Sequence, residues 1–111
     1  MTDKVVVLIT ARNLEESKTI ARHLVELELA ACVNILHPMR SIYRWQGKIE
    51  DQKECLLLVK STRALFRNIE TEVKRVHSYE TPEIICLPVV DGSLDYLKWV
   101  EESVKRVGEK D

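Results

Sequence analysis

The segment His77–Glu83, of sequence His-Ser-Tyr-Glu-Thr-Pro-Glu, carries the densest group of side chains that could do chemistry. An imidazole such as that of His77 binds copper or zinc, and the carboxylate of Glu80 could add a second ligand. Two ligands without a regular spacing fall short of a zinc signature. A cation at a helix C-terminus is also favoured by the helix dipole, and Tyr-Glu-Thr-Pro could form a plain structural turn, so a purely structural role stays open.

Cys32 is the cysteine that is least obviously a core residue. Alternate residues of a strand face opposite ways, so Cys32 shares a face with the polar Asn34. Cys55 and Cys86 stand among leucines and isoleucines, where a free cysteine acts as a small apolar residue, and burial of this kind is also the alternative for Cys32. The three cysteines include no C-x-x-C pair, which argues against a disulfide scaffold or a Cys-rich zinc site.

Glu54 and Lys60 bracket a strongly apolar strand at an even spacing, so their side chains point to the same face. They could edge a polar cleft, or they could be solvated strand ends, which is the commoner case. His23 and His37 have no evident partners in the sequence. We predict both at the surface.

Composition excludes several classes of partner. The 17 basic and 18 acidic residues give a net charge of −1, whereas a nucleic-acid protein should carry a basic face or tail. No apolar run approaches the roughly 18 residues of a membrane span, and the N-terminal region lacks the pattern of a signal peptide, so we expect a cytoplasmic protein without a membrane partner. A Gly-rich phosphate loop, a G-x-S-x-G motif and a nucleophile–base pair are all missing from the sequence, so no enzyme is expected.

Hydrophobic periodicity predicts one α+β domain over residues 1–111, with the element order β-α-β-β-α-β-α. The predicted strands cover 4–11, 31–36 with a break near Pro38 and a continuation over 41–45, 49–60 with its core at 54–60, and 83–90. The three helices run from Asn13 to about Glu28, over the stretch that carries Leu65 and Val76, and after Asp91-Gly92-Ser93.

Helix ends are predicted from capping residues. Asn13 with Glu16 matches a capping box, and Ser61 or Thr62 is the expected cap of the second helix. Gly108 fits the stop of the third helix. The inward stripe predicted for that third helix is Leu97, Val100, Val104 and Val107.

The repeated strand–helix–strand order is the split-βαβ, ferredoxin-like pattern. In that fold the first and third strands are central, and the second and fourth lie at the edges. Pro38 and Pro88 fall in the two edge strands, where proline is tolerated because it has no N–H to donate.

The hairpin between residues 31 and 60 is too long for a monomer. Ten extended residues span about 33 Å, whereas a helix of about 14 residues spans only about 21 Å, so the tip projects beyond the helices. The tip carries Ile42, Tyr43, Trp45 and Ile49. Pairing with another subunit would cover these side chains, unless the third helix folds over them within one chain.

Four blocks in this order resemble the hallmark blocks of the CutA family of divalent-cation-tolerance proteins, over roughly residues 4–105. They are Leu-Ala-Ala-Cys-Val-Asn-Ile at 29–35, Tyr-Arg-Trp-Gln-Gly-Lys-Ile at 43–49, Leu-Val-Lys-Ser at 58–61 and His-Ser-Tyr-Glu-Thr-Pro-Glu-Ile at 77–84.

The resemblance implies a PII-like homotrimer that binds copper or another divalent metal ion and takes part in tolerance of and response to such ions. It implies Cys32, His77 and Glu80 as the metal-site candidates, and Trp45, Glu54 and Lys60 as lining of the cleft between subunits. Thiolate would suit Cu(I), and His with Glu would suit Cu(II) or Zn(II). Two alternatives are a PII-like sensor of a small anionic ligand, in which Lys60 and Arg44 would matter most, and a trimeric scaffold without a metal role.

Overall fold

A computed structural model describes residues 2–107. The elements are β1 (Lys4–Ala11), α1 (Leu14–Glu26), β2 (Cys32–Trp45), β3 (Lys48–Thr62), a 3-10 turn (Arg63–Leu65), α2 (Phe66–Val76), β4 (Ile84–Pro88) and α3 (Leu94–Ser103). The strands form one antiparallel sheet in the order β2-β3-β1-β4. The predicted ferredoxin-like α+β class with an extra C-terminal helix is therefore confirmed, with both prolines on edge strands.

Burial alternates along the middle of the two central strands and distinguishes the two faces of the sheet. Val7, Val59 and Leu57 are fully buried, while their neighbours Leu8 and Leu58 are only partly buried. The buried set faces α1 and α2, whose innermost residues complete the core: Ile20, Leu24, Ile69 and Val73. This side of the sheet is therefore a closed hydrophobic core.

The second face of the sheet is only partly covered, by α3. Lys4 reaches Glu101 of α3 with an Nζ–Oε1 distance of 2.6 Å, and Cys32 meets Tyr96 of α3. Val100 of α3 is buried where this helix packs on the sheet. Several large apolar side chains of the same face remain exposed, namely Leu36, Ile85 and Leu87.

The β2–β3 hairpin is one continuous element of 14 and 15 residues in its two strands. The expected break near Pro38 is a register shift between Leu36 and Met39, next to a cis bond before Pro38, and pairing resumes beyond it. At the tip, Gln46 and Gly47 both have positive φ, 50° and 79°, as in a type I′ turn. A glycine is suited to this position because it has no Cβ to strain the left-handed backbone.

Two capping predictions need correction. Neither Ser61 nor Thr62 caps the second helix, because β3 continues through both residues and a 3-10 turn precedes α2. The buried Ser61 hydroxyl instead donates to the carbonyl of Leu29 at 2.6 Å. Asn13 does cap α1 by accepting from the N–H of Glu16, but the Glu16 side chain accepts from the N–H of Arg12 rather than from Asn13.

The C-terminal elements are shorter than predicted. β4 covers Ile84–Pro88 rather than 83–90. In the predicted inward stripe, Val100 and Val104 are buried but Val107 is exposed, because α3 ends at Ser103. The predicted stop at Gly108 lies outside the described residues. Within residues 2–107, no helix has the length and apolar character needed to cross a membrane.

The prediction that His23 and His37 lie at the surface holds for His37, which is exposed, whereas His23 is half-buried. Each histidine also has a partner that was not evident in the sequence. His23 lies between α1 and α2, with Nε2 2.8 Å from Oε1 of Glu72. His37 has Nδ1 3.3 Å from the sulfur of Cys55. Both contacts join residues far apart in the chain, so local sequence gave no sign of them.

Candidate functional site

The β2–β3 hairpin passes beyond the end of β1 and forms one wall of a cavity. The last pair between β1 and β3 is Ala11 with Cys55, and from Glu54 to the tip β3 pairs only with β2. The segment between α2 and β4 closes the other side. The cavity has a volume of about 610 Å³ and is lined by Thr10, Ser41, Ile42, Tyr43, Trp45, Glu54, Tyr79, Glu80, Thr81 and Glu83.

Glu54 is the buried carboxylate of this cavity, with only 6% of its surface exposed. The hydroxyl of Tyr79 donates to its Oε2 at 2.7 Å. Burial, and then this hydrogen bond, raise the pKa of Tyr79 far above its usual value, so the phenol keeps its proton and remains a donor. Within residues 2–107, no hydrogen bond to the other oxygen, Oε1, is present.

His77 uses both ring nitrogens inside the subunit. Nε2 lies 2.7 Å from the carbonyl oxygen of Thr10, and Nδ1 accepts the N–H of Tyr79 at 3.0 Å. Because a carbonyl can only accept, Nε2 carries the proton and the ring is neutral. His77 therefore ties the segment that carries Tyr79 to the end of β1, and it could bind a metal ion only by giving up one of these bonds.

Glu16 holds the same segment to the start of α1. Its Oε1 accepts the N–H of Arg12 and its Oε2 accepts the N–H of Ser78, each at 2.9 Å. Burial, the largest single effect, raises the pKa of this carboxyl, but the hydrogen bonds from Ser78 and Arg12 outweigh it and the pKa is lowered.

Cys32 and Lys60 form a second cluster on the face covered by α3. The Lys60 ammonium donates to the side chain of Asn34 and lies 3.7 Å from the Cys32 sulfur. The Tyr96 hydroxyl is 3.5 Å from the same sulfur. This contact, and then burial, raise the pKa of Tyr96 to about 12.

The six predicted site residues therefore fall in two places. Trp45, Glu54 and Glu80 line the cavity. His77 does not line it, but its ring forms hydrogen bonds with the backbone of Thr10 and Tyr79, which do. Cys32 pairs with Lys60 across β2 and β3. Lys60 lies six residues from Glu54 along β3, so the two side chains are roughly 20 Å apart. Within residues 2–107, no group of three or more His, Cys, Asp or Glu side chains is arranged to hold a metal ion.

Several cavity residues were not assigned a role from the sequence. Tyr79 lies inside the His77–Glu83 segment, and its position two residues after His77 was the available signal. Tyr43 was recognised only as an apolar residue of the hairpin tip. Glu83 and Ser41 reach the cavity because the hairpin and the α2–β4 segment meet there, which the order of the elements alone does not reveal.

The comparisons with known proteins agree with this architecture. The family described as "CutA1 divalent ion tolerance protein" matches residues 5–103. The divalent-cation tolerance protein CutA of Thermus thermophilus is 49% identical over 98 residues, which are 88% of this chain and 95% of the relative.

Two solved structures are similar throughout. The divalent cation tolerance protein (Cut A1) from Thermus thermophilus superposes with a TM-score of 0.90 at 47% identity, covering 92% of this chain and 99% of its own. A protein described as the periplasmic divalent cation tolerance protein CutA from Archaeoglobus fulgidus has a TM-score of 0.89 at 42% identity, with the same coverage. The match over residues 5–103 and these relatives show that the chain belongs to the CutA1 divalent ion tolerance protein family.

Proposed function

We propose that this protein binds divalent cations, copper among them, in the cavity beneath the hairpin, and that it acts as a homotrimer in tolerance of and response to these ions. One observation carries the choice of ligand. Every charged side chain that lines the cavity within the described residues is a carboxylate, namely Glu54, Glu80 or Glu83. A pocket of this kind attracts cations and repels anions.

The same observation separates this proposal from a sensor of a small anion. Such a ligand would need a positively charged side chain at the site. Lys60, however, lies roughly 20 Å from Glu54 along β3 and contacts Asn34 and Cys32. Arg44 does not belong to the cavity lining. The charge of the lining therefore favours metal ions over an anionic metabolite.

The trimer is part of the proposal. Ile42 and Ile49 at the hairpin tip are 68% and 70% exposed, and Leu87 on the open sheet face is also exposed. An apolar edge of this length is ordinarily covered by another chain. A neighbouring subunit would also supply ligands that one subunit lacks, and the family resemblance favours three chains.

Cys32 enters the proposal as a separate soft ligand. A thiolate suits Cu(I), whereas the carboxylates of the cavity suit harder divalent ions. Cys32 does not meet His77 or Glu80 within one subunit, so a site made from all three would need a second chain.

A non-enzymatic, cytoplasmic role completes the proposal. The one Cys–His contact in the described residues, between Cys55 and His37, has a fully buried thiol that no substrate could reach. Cys32, Cys55 and Cys86 are all free thiols, which fits a reducing compartment. Because the Archaeoglobus relative is described as periplasmic, fractionation of the source cells is the direct check of location.

The test is calorimetric titration of metal-stripped protein with Cu(II), with the mass in solution measured in parallel. We expect saturable binding on a particle of three chains. Glu54→Gln should weaken binding roughly tenfold to a hundredfold, the range for one charge-assisted contact. Glu26→Gln, on the exposed side of α1, is the matched control and should bind as the parent does. Equal affinity in both variants, or no saturable binding, would refute the cation site.

A further inference from the structure

The cavity is much larger than a metal ion requires. Metal–oxygen distances of about 2.0–2.6 Å let an ion and its ligands occupy a small part of the available space. A volume of about 610 Å³ instead lies in the range of sites for small organic molecules. The cavity is therefore large enough for a ligand bigger than a metal ion.

Aromatic side chains supply much of the wall. Tyr43, Trp45 and Tyr79 line the cavity, together with the aliphatic Ile42. In a single subunit Tyr43 and Trp45 are 41% and 43% exposed, and part of each ring forms the cavity surface. The face of such a ring attracts a cation, and it also packs against methylene groups. Neither property is needed to bind a bare metal ion.

The buried carboxylate gives the cavity a fixed acceptor. Glu54 is held in place through Oε2 by the Tyr79 hydroxyl, while Oε1 has no donor within residues 2–107. An ammonium group brings several N–H donors and a positive charge, and it can satisfy such an oxygen. Glu80 and Glu83 place further negative charge on the same cavity.

We propose that this cavity binds an aliphatic diamine or polyamine, an extension that rests on the proposed cation binding at the same site. One ammonium group bonds to Glu54, and a second is neutralised by Glu80 or Glu83. The methylene chain between them lies against Tyr43 and Trp45. The buried carboxylate, the aromatic wall and the volume all fit this class of ligand.

The experiment is calorimetric titration of the intact, metal-stripped oligomer with 1,5-diaminopentane. The uncharged 1,5-pentanediol, of the same length, serves as the probe control. We expect saturable binding of the diamine and none of the diol. Glu54→Gln should abolish the diamine signal, and Tyr43→Leu should weaken it roughly threefold to thirtyfold, as expected for the loss of a cation–π contact.

The matched control variant is Tyr96→Leu, which removes a similarly exposed tyrosine, 42% against 41%, from outside the cavity. It should leave diamine affinity unchanged. Circular dichroism and solution mass verify that each variant is folded and assembled. If Tyr43→Leu fails this check, the milder Tyr43→Phe, which keeps the ring, must bind the diamine as the parent does.

The outcomes separate the two proposals. Binding of Cu(II) without any binding of the diamine overturns the organic-cation site and leaves the metal function standing. Binding of the diamine, with no saturable binding of Cu(II), overturns the metal function and leaves the organic-cation site standing. Diamine binding that survives Glu54→Gln, or that the diol reproduces, also overturns the inference, because the ligand would then not depend on the buried carboxylate.

Discussion

The hydroxyl of Tyr79 donates a 2.7 Å hydrogen bond to the buried carboxylate of Glu54, 25 residues earlier in the chain. This contact joins the projecting part of the hairpin to the segment between α2 and β4. It also fixes the one buried charge of the cavity. The shape and the charge of the site therefore depend on the same pair of residues.

Removing the Tyr79 hydroxyl should destabilise the protein. In Tyr79→Phe the buried Glu54 loses a donor, which we expect to cost about 1–3 kcal/mol of the free energy of unfolding. Urea unfolding at one fixed subunit concentration measures this, because oligomer stability depends on concentration. Tyr43→Phe, which removes an exposed hydroxyl from the same cavity, is the control and should change the midpoint little. Equal effects in the two variants would show that the Tyr79–Glu54 bond contributes nothing specific.

Glu16 should make stability fall in acid. Its pKa is lowered below the usual 4.5 in the folded protein, so its contribution is fully present above that value and is lost as the pH falls through the folded pKa. Glu16→Gln should therefore be less stable than the parent at about pH 7, and this difference should shrink at about pH 3.

Urea midpoints at the two pH values test this expectation. Glu15→Gln, which changes an exposed neighbour in the first turn of α1, is the matched control and should follow the parent at both. A difference between Glu16→Gln and the parent that stays constant with pH would contradict the account, since it would not come from titration of Glu16.

His77 should keep its proton on Nε2 when a metal ion binds. Its bonds to the Thr10 carbonyl and to the Tyr79 N–H assign it to positioning the cavity wall. Nitrogen-15 NMR of the imidazole, with and without Zn(II), reads the state of each nitrogen directly. We expect both resonances to stay close to their metal-free positions. A large shift of either nitrogen would instead establish His77 as a metal ligand.

The sheet and its order were accessible from the sequence because they rest on local patterns. The near-continuous apolar runs around Val7 and Leu57 are typical of central strands, and Pro38 with Pro88 identified the edges. The ends of elements were less accessible. Ser61 has the chemistry of a helix cap, yet its hydroxyl is used by the carbonyl of Leu29, 32 residues away.

The grouping of the candidate site residues was less accessible from the sequence. The resemblance implied Trp45, Glu54 and Lys60 as cleft lining and Cys32, His77 and Glu80 as metal-site residues. The structure instead brings Trp45, Glu54 and Glu80 together in the lining of one cavity. Cys32 and Lys60 belong to another cluster because they pair across β2 and β3 at the opposite end of the hairpin. Partners such as Tyr79 for Glu54 depend on how the α2–β4 segment crosses the end of the sheet, and no local pattern encodes that crossing.

The most direct test of the central claim is an anomalous difference map, collected at the copper absorption edge, from crystals of the intact protein soaked in Cu(II). The account predicts a peak inside the cavity, within bonding distance of the Glu54 carboxylate and absent from crystals of Glu54→Gln. A map with copper only beside Cys32, or elsewhere on the surface, would contradict the assignment of this cavity as the cation site.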